Sequence, residues 1–288
     1  YEPYGENGAW YEFKLKIAKK LILSKWKEAL GGNLELIASG SAALQPRLAR
    51  IFTAAGMTLV EGYGLTETSP VISVNDMRKN KFKIGSVGQI IDGVHVKIAK
   101  DGEILCKGPN IMMGYYKDLE KTAEVMTDDY FHTGDIGEID KQGFLKITDR
   151  KKEMFKTSGG KYISPQVIEN IMKQSLFIEQ IMVVGDGRKM PTALIQPNIE
   201  YVMKWLADNG TPSKSLEEAC KEESLLKALQ KEIENYNEKF GSWERIKKFE
   251  LVPEEWSIDA GHLTPTMKLK RKVVKEKYIA LIEKMYSS

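Results

Sequence analysis

Four short stretches of the chain group residues whose types could do chemistry. Tyr63-Gly64-Leu65-Thr66-Glu67 offers an aromatic face, a flexible turn, a hydroxyl and a carboxylate within five residues. Those are the groups needed to stack a base, meet a phosphate oxygen and hold Mg2+. The same residues read equally as a Gly-flanked Tyr followed by a helix-capping Thr. Phe131-His132-Thr133-Gly134-Asp135 places a carboxylate in what reads as a Gly-turned loop between strands. There it could accept two hydrogen bonds from a ribose diol, or simply satisfy its own backbone. The run 149–161 (DRKKEMFKTSGGK) joins cations to a Gly pair whose backbone N–H groups could approach an anion closely; a solvated linker is the plainer alternative. No Gly-x-x-x-x-Gly-Lys-Ser/Thr order occurs anywhere, so this is not a P-loop. Finally, 263–271 (LTPTMKLKR) sets several cations after a Pro-containing turn, a pattern that reads as a solvated face or as a basic tail for phospholipid or nucleic acid.

The elements that must position these residues change character along the chain. Residues 10–30 alternate as an amphipathic helix: Phe13, Ile17 and Leu21 form one row, and Ala18, Ile22, Trp26 and Leu30 the adjoining one, with lysines over much of the rest. Residues 34–38 and 57–60 read as short strands around a helix from Pro46 to Ala55, and polar loops follow both strands. That is the α/β pattern, whose ligands sit beyond the carboxyl ends of strands. From about 84 to 148 the texture turns to short strands and Gly-bearing turns, Asp101-Gly102 being a hairpin signal and Gly143 ending a second turn. This predicts a small antiparallel sheet or barrel. Beyond the charged run at 149–153, a helix from Pro165, strands at 181–184 and 192–195 and a charged helix at 215–240 predict a smaller α+β unit.

Bulk composition excludes several classes. The 288 residues are 42% hydrophobic and 29% charged, a globular composition with room for two cores. Basic and acidic residues number 43 and 40, too even a balance for bulk electrostatics to imply nucleic acid. Cys106 and Cys220 cannot make a disulfide framework and have no metal-ligand spacing around them, which favours a reducing compartment. No apolar run approaches the roughly 18 residues that span a bilayer.

Taken in order, the motifs resemble the adenylate-forming superfamily of acyl- and aryl-CoA ligases, peptide-synthetase adenylation domains and beetle luciferases, and most of all its long-chain fatty acyl-CoA ligases. The matching blocks are 39–44 (SGSAAL), 62–70 (GYGLTETSP), 102–116 (GEILCKGPNIMMGYY), 131–135 (FHTGD), 143–169 (containing ITDRKKEMFKTSGGKYISPQVIE) and 263–271. The resemblance implies an α/β plus α+β protein. Residues 1–149 would be the end of a large adenylate-binding α/β domain with a small antiparallel β-barrel-like part, and 150–288 a smaller mobile α+β domain. It implies ATP, Mg2+ and CoA, and a fatty acid as the acid activated. Gly40 and Ser41 would border the adenine pocket, and Tyr63, flanked by Gly64, would stack on the base. Thr66 would bond the α-phosphate, Glu67 would hold Mg2+, and Asp135 would take the ribose hydroxyls with Arg150 assisting. Lys268 matches the catalytic lysine, Lys152 the hinge, and Lys156 with Gly159 and Gly160 the face that meets CoA. Met267 stands where many members carry Gly.

The family's Ser/Thr/Gly-rich phosphate loop is not in these residues, so the chain is expected to be the carboxyl-terminal portion of a ligase and to catalyse little alone. Other readings are a ligase for medium-chain or aryl acids, or a non-catalytic nucleotide- or CoA-binding module. The expected setting is cytoplasmic, or peripheral at the inner face of a membrane through the helix at 10–30 or the cations at 268–277, with no nucleic acid partner.

Overall fold

The computed structural model describes residues 1–5 and 7–287, which divide into two compact units, Tyr1–Lys151 and Lys152–Ser288. In the first, α1 (Ala9–Ala18) runs through a π-helical segment, Lys19–Leu23, into α2 (Ser24–Ala29). The expected helix is present, but its apolar rows face outward: Phe13, Leu21 and Ile22 are each more than half exposed, and only Leu15 is buried.

The next elements are β1 (Leu36–Ser39), α3 (Pro46–Ala54), β2 (Thr58–Gly64), β3 (Val71–Val74) and β4 (Gln89–Ile90). Proline starts α3, where its missing N–H costs nothing. β1 and β2 pair in parallel across α3, as the strand–helix–strand reading requires, and β3 and β4 add antiparallel.

A second sheet holds β5 (His95–Ile98), β6 (Glu103–Lys107), β7 (Met126–Thr127), β8 (Tyr130–Ile139) and β9 (Leu145–Arg150), with a short helix α4 (Leu119–Glu124) before β7. Every pairing is antiparallel, and Gly102 and Gly143 take positive φ at the predicted turns. The barrel-like expectation becomes an open, curled sheet. β8 pairs with β6 on one side and with β7 and β9 on the other, while β5 pairs only with β6. Backbone bonds from Val87 N to Leu145 O and from Leu145 N to Gly88 O join this sheet to the first.

The second unit contains β10 (Phe155–Lys156), β11 (Tyr162–Ile163), α5 (Pro165–Met172), β12 (Ile178–Val184), β13 (Thr192–Pro197), α6 (Ile199–Asp208), α7 (Leu216–Ala219), α8 (Glu223–Asn237), β14 (Phe249–Leu251), α9 (Arg271–Lys277) and α10 (Ile279–Tyr286). Strand alternation builds two cores on one sheet. Ile181, Val183, Ala193 and Ile195 pack with α5, α6 and α8, while Met182, Val184 and Leu194 pack with Val274, Tyr278 and Ile282 on the other face. The single helix expected at 215–240 is two. Ala219 and Leu225 both enter the first core, and residues six apart cannot share a helical face, so the chain breaks at 220–222. β14 escaped the sequence reading because Lys247, Lys248 and Glu250 mask a three-residue strand.

Candidate nucleotide site

The site is built on the first unit, where β2 and β8 bring distant residues to one carboxylate. Asp135 lies inside β8, not in a loop. The ladder pairs Glu103 with Ile136 and Leu105 with His132, so β8 carries two extra residues there, and Gly134 absorbs them at φ 71°. The bulge turns Asp135 so that its carboxylate, 8% exposed, accepts a 2.7 Å hydrogen bond from the Tyr63 hydroxyl. Arg150, the ladder partner of Asp135 on β9, sets its Nε 3.3 Å from Oδ1. The Asp135 backbone N–H donates to Thr133 Oγ1 at 3.1 Å, and Thr133 Oγ1 donates to Ile104 O at 2.8 Å. Burial, and then the adjacent Asp135 carboxylate, push the Tyr63 phenol far above its ordinary range, so it stays a donor at any working pH.

Backbone constraints around Tyr63 are tight. β2 and β3 slip register between Tyr63 and Gly64, and a Cβ on Gly64 would stand 1.6 Å from Pro70 O. The following turn is tied by Thr68, whose Oγ1 accepts from Leu65 N at 2.9 Å, and by Asn110 Nδ2, which donates to Thr68 O and Val71 O. Thr68, not Thr66, therefore does the capping, which leaves the Thr66 side chain exposed. Glu67 accepts a 3.0 Å bond from the Tyr115 hydroxyl through Oε1. Gly40 and Ser41 follow β1. Gly40 lies against the Gly62 carbonyl, where an added Cβ would make an ordinary 3.6 Å contact, and Ser41 takes φ 66°. Beneath that loop the buried Glu61 accepts from Leu44 N, and burial raises its pKa to about 7.

Mg2+ takes oxygen ligands, keeps several waters and commonly needs one or two carboxylates besides phosphate oxygens. Glu67, partly exposed and with one oxygen held by Tyr115, fits that modest demand. No group of three or more His, Cys, Asp or Glu poised to hold a metal occurs among the described residues, so any ion at Glu67 would complete its shell with phosphate and water.

The remaining sequence-derived candidates belong to the second unit. Lys152 opens the second unit as an exposed turn residue. Lys156 sits on β10, and Gly159 and Gly160 form the β10–β11 turn, where Gly160 takes φ 80°. Lys268 belongs to a tight loop in which Thr264 N donates to Lys268 O at 2.8 Å and Lys268 N to Thr264 Oγ1 at 3.0 Å; Met267, within that loop, takes φ 60°. Directly after it, Arg271 grips Glu169 through Nη1 at 2.8 and 3.0 Å and donates Nη2 to Val183 O at 2.7 Å. Sequence alone assigns no role to Tyr115, Glu61, Glu103 or the Glu169–Arg271 pair: all but Glu61 lie within the blocks that carry the resemblance, but the partners that give each its setting lie far off in sequence. No helix among the described residues is long and apolar enough to cross a membrane.

Comparison with known proteins matches a family model described as AMP-binding enzyme over residues 11–116, and one described as AMP-binding enzyme C-terminal domain over 153–288. The chain is 38% identical over 284 residues to the long-chain-fatty-acid–CoA ligase FadD15 of Mycobacterium tuberculosis, covering 98% of this chain and 47% of that protein. It is 35% identical to the peroxisomal long chain acyl-CoA synthetase 7 of Arabidopsis thaliana, covering 93% and 41%. The chain thus spans about half the length of the relatives it matches. Among solved structures, the adenylation domain of a carboxylate reductase from Mycobacterium chelonae superposes with a TM-score of 0.74 at 22% identity, over 95% of this chain and 42% of that one. The A domain of a carboxylic acid reductase from Segniliparus rugosus, in complex with AMP and a co-purified carboxylic acid, gives 0.72 at 26%, over 92% and 41%.

Proposed function

Because the chain belongs to the family of AMP-binding enzymes, we propose that the protein containing it is an ATP-dependent long-chain fatty acid–CoA ligase. In the first half-reaction a fatty carboxylate oxygen attacks the α-phosphorus of ATP, and pyrophosphate leaves with the bonding pair. In the second, the CoA thiolate attacks the acyl carbon of the adenylate and AMP departs. The observation that carries this reading is the convergence of Tyr63 and Arg150 on the Asp135 carboxylate. An ionised carboxylate offers about four acceptor sites, and a paired ribose diol calls on that kind of capacity.

Tyr63, pinned by its hydroxyl, presents its ring to the base, and the Gly40–Ser41 turn lines the edge. The exposed Thr66 hydroxyl donates to the α-phosphate. Glu67 would hold Mg2+, which supplies charge neutralisation at the phosphates. Lys268 is the cation assigned to the acyl carboxylate and α-phosphate: two anions must meet, and a preorganised ammonium lowers that barrier. Lys152, exposed and in a turn, can change φ/ψ without losing buried contacts and is the proposed pivot of the smaller unit. Lys156 with Gly159 and Gly160 would then meet CoA.

The test is fatty-acid-dependent exchange of labelled pyrophosphate into ATP by the complete protein. Lys268→Ala should lower exchange by roughly 100-fold or more, while thioester formation from supplied acyl-adenylate changes only a few-fold. Equal losses in the two half-reactions, or exchange that ignores fatty acid, would overturn the assignment.

A further inference from the structure

We propose that Glu103 is a positioning residue of the nucleotide site, one that fixes the backbone on either side of the Asp135–Arg150 pair; the inference rests on the reading of Asp135 as the ribose-binding group. Glu103 is only 4% exposed, and the three residues after it on β6, Ile104, Leu105 and Cys106, are buried and apolar. An apolar side chain would suit such a strand, and burying a carboxylate there costs free energy unless donors surround it. Donors do. Oε1 accepts from Gly134 N at 3.0 Å, while Oε2 lies 2.8 Å from Lys151 Nζ and 3.0 Å from His132 Nδ1. Desolvation works against ionisation, but Lys151, His132 and the Gly134 N–H together hold this carboxyl below its ordinary pKa.

The partners are the meaningful part. Gly134 immediately precedes Asp135, and Lys151 immediately follows Arg150. Lys151 closes the circuit, since its backbone N–H donates to Gly134 O at 2.8 Å and its ammonium also meets Asp101 at 2.7 Å. The bulge that aims Asp135 and the strand end that carries Arg150 are therefore held to the same buried charge. A buried ion pair contributes little to stability but can select one geometry among several, and the geometry selected here is that of the ribose-facing carboxylate.

The experiment assays Glu103→Gln and Lys151→Met of the complete protein with ATP and with 2′,3′-dideoxyATP. Glutamine keeps an oxygen for Gly134 but loses the charge that holds Lys151, and Lys151→Met alters a half-exposed side chain, so the fold should survive in at least the latter. KM for ATP should rise about tenfold in both variants, the scale of one charged hydrogen bond. KM for the dideoxy nucleotide should stay within about twofold of wild type, and kcat should hardly move. A parallel rise for both nucleotides marks a merely structural role and overturns the inference, as does unchanged discrimination in both variants. A wild-type protein that does not distinguish the two nucleotides overturns the ribose reading itself, and an Asp135→Asn variant without effect on ATP identifies that failure.

Discussion

The Tyr63 hydroxyl donates to Asp135 Oδ2 at 2.7 Å across 72 residues of sequence. One bond thus ties β2 to β8, the strands that carry the proposed base- and ribose-binding groups, and couples the ring to the carboxylate. Tyr63→Phe keeps the ring and removes the tie. It should raise KM for ATP by roughly three- to tenfold with little change in kcat, less than Asp135→Ala does. Steady-state kinetics at varied ATP measures both.

Glu61 makes stability depend on pH. Its folded pKa of about 7 lies above the 4.5 of an ordinary Glu, because burial disfavours the charged form. Between those values the unfolded chain releases a proton that the folded chain keeps, so stability falls as pH rises from about 4.5 to 7 and levels off above. The contribution is on the order of 3 kcal/mol. Glu61→Gln, which keeps an acceptor for Leu44 N, should flatten that part of the profile when urea midpoints are compared at pH 5 and 7.5.

Gly64→Ala should be among the most destructive small changes in the chain. The new methyl would overlap Pro70 O, a backbone atom that can yield only by breaking the β2–β3 register. A loss of about 3 kcal/mol or more is expected in denaturant unfolding. Gly143→Ala, where φ is positive but space is open, should cost only about 1 kcal/mol.

Met267 occupies the left-handed region without being Gly, at φ 60°. Met267→Gly should therefore relieve strain and raise stability by about 1 kcal/mol, seen as a higher melting temperature. The gain is small because Gly also loosens the unfolded chain.

Arg271→Met should cost about 3 kcal/mol, since it leaves the Glu169 carboxylate, 10% exposed, without its guanidinium. Adding Glu169→Gln to it should recover part of the loss. A double-mutant cycle by urea unfolding measures the coupling.

The elements whose signals are local were legible in advance. Pro46 and Pro165 mark two helix starts, and Asp101-Gly102 and Gly143 mark two turns, because each fixes φ or its freedom within a residue or two. Asp135 stands out in the sequence as a candidate, but its setting does not: a Gly beside Asp signals a turn locally, whereas a bulge exists only in relation to β6 and β9, far off in sequence. Glu103 shows the same limit. Its meaning comes from Gly134, His132 and Lys151, 29 to 48 residues away, and nothing adjacent to it carries the signal. The outward rows of the first helix show the converse, since periodicity identifies an apolar face without telling what covers it.

The forked pairing of β8 carries one last consequence. A strand bonded on both edges surrenders its amide protons only when much of its surroundings opens, whereas a five-residue loop closed by its own bonds can open alone. Hydrogen–deuterium exchange should therefore find the amide of Ile136, inside the doubly paired part of the strand, among the slowest in its unit, and the amides around Lys268 fast. The carboxylate proposed to grip the sugar would then rest on one of the most persistent pieces of scaffold, and the ammonium proposed to drive the chemistry on one of the most yielding.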